Sequence, residues 1–201
     1  MSNKNTNAKN WKPSTLAIHG NGRLPKAHHA VSTPIMHTSN YYFDTADEVE
    51  DFMRAKGQGK VIREHEYARY GNPTQIETER KLAAIEGAER AVLYSSGMAA
   101  VLLAIMTFMK PGGHIIFTSD CYRQTRDFAI NFLGKFGMDN SIVDPTAEAI
   151  EKAIKPNTNI IFTESPTNPY LRVLDIPAIV KVAKAKKVLT IIDATLATPY
   201  N

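Results

Sequence analysis

The chain has 201 residues, 43% apolar and 22% charged, with a formal net charge of +4; such values belong to a soluble globular protein with room for one sizeable core. Its basic residues are scattered, with no cationic stripe interleaved with aromatics, which argues against a nucleic-acid partner, and no apolar run reaches the ~18 residues of a transmembrane helix. Cys121 is the single cysteine, so no intramolecular disulfide forms, and the polar N-terminus lacks the apolar segment of a secretory signal; both fit a cytoplasmic protein.

Residues 1–13, rich in Asn and Lys, read as a disordered tail. From 14 to about 42 short apolar stretches are broken by Gly20, Gly22, Pro25 and Pro34, too sparse for a core of their own. This part of a 14–60 arm is expected to pack on something else, such as another subunit. Thr45 followed by Glu48 predicts a capping box opening a helix over 45–55, and 56–60 is a glycine-containing loop. Regular periodicity begins after Thr74. Helices are predicted over 75–86, ended by Gly87, and over 98–109, which is apolar nearly all round and so expected to be buried. Further helices fall at 124–133, 146–154 and 176–185. Strands are predicted at 91–94, 114–118, 139–143, 159–163 and 188–193. The alternation, and near-continuous apolar strands such as HIIFT, NIIFT and VLTII, predict an α/β fold: a mostly parallel sheet with helices on both faces.

Ligands of such sheets bind beyond the carboxyl ends of the strands, so the residues there are the candidates. Ser95-Ser96-Gly97-Met98 opens a helix with free N–H groups that suit a phosphate, or is simply a tight capped turn. Ser119 to Arg126 carries Tyr122, an aromatic able to cover a planar ligand, and two arginines able to hold anions; solvated charges at a helix start are the plainer reading. Glu164-Ser165-Pro166-Thr167-Asn168-Pro169 is a rigid polar loop, suited to a site and equally a good turn. Asp193 closes a strand, where an acid needs a cation or donors; a pyridinium nitrogen is one such cation, and a structural turn cap is the alternative. Tyr67 and Arg69 lie two apart in an extended stretch, a donor and a cation side by side. Thr74 is placed to cap the helix that follows. One explanation covers all of these together: a flat, phosphorylated, heteroaromatic cofactor.

YARYGNPT, SSGMAA, DCY, ESPTNP and DATLATPYN come in the order seen in the Cys/Met-metabolism family of pyridoxal-phosphate (PLP) enzymes, and STLAIHG and STPIMHTSNYYF resemble that family's N-terminal arm. The resemblance covers residues 14–201. Within the family, D-C-Y-R-x-T-R-x-F is similar to the plant-type cystathionine γ-synthases, with Arg123 and Gln124 where most other members carry two glycines.

The resemblance implies the large domain of a fold-type I PLP enzyme over 61–201, acting as a transferase or lyase of sulfur amino-acid metabolism. It implies that Gly97 and Met98 bind the cofactor phosphate, that Tyr122 stacks on the pyridine ring and assists proton transfer, that Asn168 bonds the ring hydroxyl, and that Asp193 pairs with the ring nitrogen. Tyr67 and Arg69 are expected to reach the phosphate in a neighbouring subunit, which implies a homo-oligomer, a dimer or tetramer. Arg126 is the candidate for holding an anionic part of an amino-acid substrate. No metal and no membrane enter this reading. Two departures stand out. Ala194 replaces a commonly found Asn, which removes one hydrogen bond near Asp193. The family's Schiff-base lysine is expected roughly two dozen residues beyond Asp193, past Asn201, so the chain reads as an N-terminal part of the enzyme. The expected reaction is γ-replacement on an activated homoserine by cysteine; a cystathionine or methionine γ-lyase and a non-catalytic remnant are the alternatives.

Overall fold

The computed structural model describes residues 10–20, 30–63 and 65–200. Residues 1–9 of the expected tail and 21–29 of the expected arm lie outside them. The chain forms two compact units, Met1–Leu93 and Tyr94–Asn201.

In the first unit, α1 spans Pro13–His19, a helix where the sequence reads as irregular. Its seven residues are too few for a clear helical period, but Pro13 stands at the helix start, where a missing N–H costs nothing. Gly20 ends it at φ 58°, close against Arg80 and Lys81. Helix α2 covers Ala46–Gly57, and Thr45 caps it by accepting the Glu48 N–H at 3.2 Å. Glu48 returns a carboxylate to the Asp44 N–H at 3.0 Å, one residue earlier than the expected box would place it. Helix α3 covers Pro73–Ile85. Its cap is Asn72 and not Thr74: the Asn72 side chain accepts the Thr74 N–H at 2.9 Å, because Pro73 takes the first helical position. The Thr74 hydroxyl serves the arm instead, accepting the Met36 N–H at 2.9 Å, while Asn72 donates to the Met36 carbonyl at 3.0 Å.

The second unit is a parallel sheet of order β2-β1-β3-β4, with β1 His114–Thr118, β2 Asp139–Val143, β3 Thr158–Glu164 and β4 Leu189–Asp193. Four helices serve it: α4 Gly97–Phe108, α5 Arg123–Asn131, α6 Ala147–Ala153 and α7 Ile176–Ala185. Alternation along the central strands splits the core into two layers. Ile115, Phe117, Ile160 and Phe162 meet Ile105 of α4 and Ala129 of α5; Ile116 and Ile161 meet Ile150 of α6 and Ile179 and Ala183 of α7. All five residues of β1 are buried, whereas β2 and β4, at the sheet edges, are half-buried.

Two expectations fail here. Residues 91–94 make no strand: Val92, Leu93 and Tyr94 are exposed, and the Leu93 N–H goes to the Glu79 carboxylate at 2.8 Å. An extended run becomes a strand only beside another strand, and none lies beside this one among the described residues. Nor is α4 buried all round. Ile105 is fully buried on the sheet, but Leu103 and Phe108 on its other faces are 45% and 54% exposed, because only one face of the helix meets the sheet.

His114, fully buried at the start of β1, places its ring nitrogens 2.8 Å from the Thr158 hydroxyl and 2.9 Å from that of Ser141. Burial lowers its pKa below the ordinary 6.5; nearby Lys155 adds to this and Asp139 opposes it. The unfolded chain therefore takes up this proton first as pH falls, so stability drops as pH falls below about 6.5. Chemical denaturation between pH 8 and 5 should show that loss, and His114→Asn should flatten its slope. Phe162, whose ring lies 5.5 Å from that of Phe117 in the sheet centre, should cost about 3–5 kcal/mol when replaced by Ala, measured by urea unfolding.

Candidate active site

In a parallel sheet every strand ends on the same edge, and the register here is tight at that edge. Thr118 pairs with Val143, and Glu164 pairs with Asp193. The chain past each strand is tied to its neighbour: the Ser119 N–H bonds the Val143 carbonyl at 2.7 Å, and the Ser165 N–H bonds the Asp193 carbonyl at 3.1 Å. The buried hydroxyls of Thr118 and Thr163 meet at 3.0 Å beneath.

Four of the predicted residues come to this edge. Tyr122 is the cap residue of α5, its side chain 42% exposed and making no cap bond. Asp193 accepts the Thr195 N–H at 3.0 Å and the Thr195 hydroxyl at 2.5 Å, both on Oδ1, which leaves Oδ2 without a donor among the described residues. Thr195 thus supplies donors that the Ala194 departure led one to miss. Gly97 and Met98 open α4. Ser96 caps that helix through the Ala99 N–H at 3.2 Å, and no described residue accepts the N–H of Gly97 or Met98. The Thr125 hydroxyl, in the first turn of α5, reaches the Met98 sulfur at 3.9 Å, which brings the α4 start beside the Tyr122 segment.

Asn168 stands on the loop after β3, half-exposed, its amide without a partner among the described residues. The loop is held at both ends: Thr167, fully buried, accepts the Arg172 N–H at 3.1 Å, and Ser165 accepts the Leu174 N–H at 3.2 Å. Arg172 in turn pairs with Asp120 at 3.1 Å. Arg126 turns one guanidinium nitrogen back to the Ser119 carbonyl.

Tyr67 and Arg69 belong to the first unit. Tyr67 forms an isolated antiparallel bridge with Asn40, and the Ala68 N–H bonds the Ser39 carbonyl at 2.8 Å. The Arg69 guanidinium lies 4.9 Å from the Tyr67 ring and 5.5 Å from the Tyr70 ring, so donor and cation do stand together. Tyr70 also walls a shallow cavity of about 210 Å³ with Lys56, Lys60 and Arg63.

Two buried groups were not singled out from the sequence as site residues. Glu164, 2% exposed, accepts the Tyr122 N–H at 2.6 Å. Burial raises its pKa above the ordinary 4.5; the Tyr122 N–H opposes that, and Asp193 adds to it. Cys121, fully buried beside them, has its thiol pushed up to about 12, chiefly by burial. The signal for Glu164 lay in the sequence: an acid closing an apolar strand, the same signal that marked Asp193.

Residues 14–201 match the sequence profile of the family described as Cys/Met metabolism PLP-dependent enzyme. The chain belongs to that family. Cystathionine gamma-synthase 1, chloroplastic, of Nicotiana tabacum is 41% identical over 191 residues, covering 93% of this chain and 34% of the relative. The L-methionine gamma-lyase of Porphyromonas gingivalis is 36% identical over 189 residues, covering 93% and 46%. Among solved structures, a putative O-acetylhomoserine (thiol)-lyase from Campylobacter jejuni, which contains N'-pyridoxyl-lysine-5'-monophosphate, superposes with a TM-score of 0.83 at 30% identity, over 95% of this chain and 46% of that one. The chain spans between a third and a half of the length of these relatives.

Pyridoxal 5'-phosphate is the cofactor of this family, and the donor set fits it. Two unclaimed N–H groups at a positive helix end suit a phosphate dianion. Gly97 leaves open space where a Cβ would stand. A carboxylate oxygen without a donor suits a protonated ring nitrogen. Among the described residues no cluster of His, Cys, Asp and Glu suits a metal, and no helix is long and apolar enough to cross a membrane.

Gly97→Pro isolates the phosphate contact. Proline is tolerated at the first helical position, and Ser96, at φ −157° and ψ 158°, already has the extended backbone that precedes a proline. The variant should fold as the parent does, while losing one N–H bond to a charged group weakens PLP binding about tenfold or more in an absorbance titration.

Proposed function

We propose that the whole protein carries out γ-replacement: cysteine displaces the leaving group of an activated homoserine to give cystathionine. The observation that carries this reading is the 41% identity to a plant cystathionine gamma-synthase along 191 residues. Bound PLP supplies the electron sink for charge that develops on the substrate carbons.

The chain's residues divide the remaining work. Gly97 and Met98 bind the phosphate through their N–H groups, and Tyr67 and Arg69 hold the phosphate in a neighbouring copy, so the enzyme works as a homo-oligomer. Tyr122 covers one ring face and passes a proton through its phenol. Asn168 orients the ring through its hydroxyl. Asp193 keeps the proton on the ring nitrogen through Oδ2, with Oδ1 already held by Thr195. Arg126, with guanidinium N–H groups left over from its Ser119 bond, takes an anionic part of the substrate. A cytoplasmic location is part of the same proposal, supported by a lone, buried cysteine that forms no intramolecular disulfide.

The identity to L-methionine gamma-lyase supports a second reading, γ-elimination, in which the Cγ leaving group departs and water releases a keto acid and ammonia with no added thiol. One assay separates the two. The protein from the complete reading frame, loaded with PLP, should make cystathionine from an activated homoserine only when cysteine is present. Keto acid released without thiol establishes the lyase, and PLP binding without turnover establishes a non-catalytic protein. Asp193→Asn should lower kcat/KM by on the order of 10²-fold, with PLP still bound.

A further inference from the structure

We propose that Glu164 is a positioning residue that fixes Tyr122 on the same footing as Asp193. The proposal rests on the reading of Tyr122 as the residue that covers the cofactor ring.

Helix α5 begins in an unusual way. Its cap residue is a tyrosine, which cannot cap with its side chain, and no cap bond is made. In a capping box, the residue three positions into the helix returns a carboxylate to the N–H of the cap residue. Here that position is Thr125, whose hydroxyl is directed to Met98. Nothing local holds the Tyr122 N–H. Glu164 takes the role from 42 positions away, its Oε2 lying 2.6 Å from that N–H. The acceptor therefore comes from β3, the strand paired with β4.

Glu164 is itself enclosed. It is 2% exposed, it lies in the ladder, and its register partner is Asp193. The groups that face it are the Tyr122 N–H, the Cys121 thiol and the Asp193 carboxylate. Burial and Asp193 both work against an ionised carboxyl at this point. The bond from the Tyr122 N–H is the one its side chain makes, and it partly offsets that cost. The other side-chain ties of this segment run from Thr125 to Met98 of α4, from Arg126 back to Ser119, and from Asp120 to Arg172 on the loop after β3. Among the hydrogen bonds of the described residues, the one from the Tyr122 N–H to Glu164 joins the residue proposed to cover the ring face to the strand pair that carries Asp193.

The test compares Glu164→Gln, which keeps an acceptor and drops the charge, with Glu164→Met, which keeps the shape and drops the acceptor. Glu164→Ala replaces the methionine variant should that one fail to fold. Two quantities are read on the full chain: amide exchange at Tyr122 without PLP, and the Kd for added PLP. The methionine variant should exchange the Tyr122 amide at least about tenfold faster, with the α4 amides unchanged, and should bind PLP about tenfold more weakly. The glutamine variant should stay within about threefold of the parent in both. Unchanged exchange in the methionine variant overturns the proposal. So does faster exchange with unaltered PLP affinity, and so does a glutamine variant as impaired as the methionine one, since charge would then matter and not the held N–H. If the parent chain binds no PLP, the functional reading fails, and amide exchange alone still decides whether Glu164 holds Tyr122.

Discussion

The pairing of β3 with β4, in register so that Glu164 lies opposite Asp193, is the constraint on which the rest of the site depends. A parallel ladder fixes both residues at one height, and a slip by one residue would send each side chain to the other face of the sheet. The slip is prevented by the two core layers. Phe162 and Ile160 belong to one and Ile161 to the other, so exchanging faces would put each against the wrong helices. The large buried side chains far from any ligand thus hold two carboxylates side by side at the carboxyl edge.

Those carboxylates have different surroundings, and that difference separates their work. Glu164 is buried, bound to one backbone N–H, and disfavoured as an anion. Asp193 is half-exposed on an edge strand, and its Oδ1 receives both donors of Thr195. One acid is enclosed and makes its bond inside the protein; the other has an oxygen, Oδ2, that no described residue engages. A pair of identical functional groups with unequal neighbours is a common way to obtain two roles from one chemistry.

Most of the sheet was legible in the sequence because HIIFT and NIIFT have unbroken apolar centres and carry the β-branched residues of buried strands. The bounds of α7 were legible too, since Asp175 and Pro177 mark its start and its apolar spacing is regular. What failed depended on neighbours that a local pattern does not contain. Residues 91–94 have the composition of a strand without a strand beside them. Helix α4 has the composition of a buried helix with only one face on the sheet. Asn72 displaced Thr74 as a cap because the proline between them fixes where the helix begins. At the carboxyl edge, the strand-end rule singled out Asp193 and Tyr122 as candidates and not Glu164, which opens a turn motif.

That omission has a physical cause. A side chain that binds a ligand shows itself by residue type, because the chemistry of the ligand dictates it. A side chain that holds another residue's backbone shows itself only by burial, and burial is a property of the folded chain. The sequence did carry a trace: an ionisable group closing a run of apolar residues must find a partner or lose its charge. The same rule that led to Asp193 applies with more force to Glu164, since its strand is central and Asp193 lies on an edge. In α/β chains the acid at the end of a central strand is therefore the one to ask about first, and the question to ask is which backbone N–H it holds.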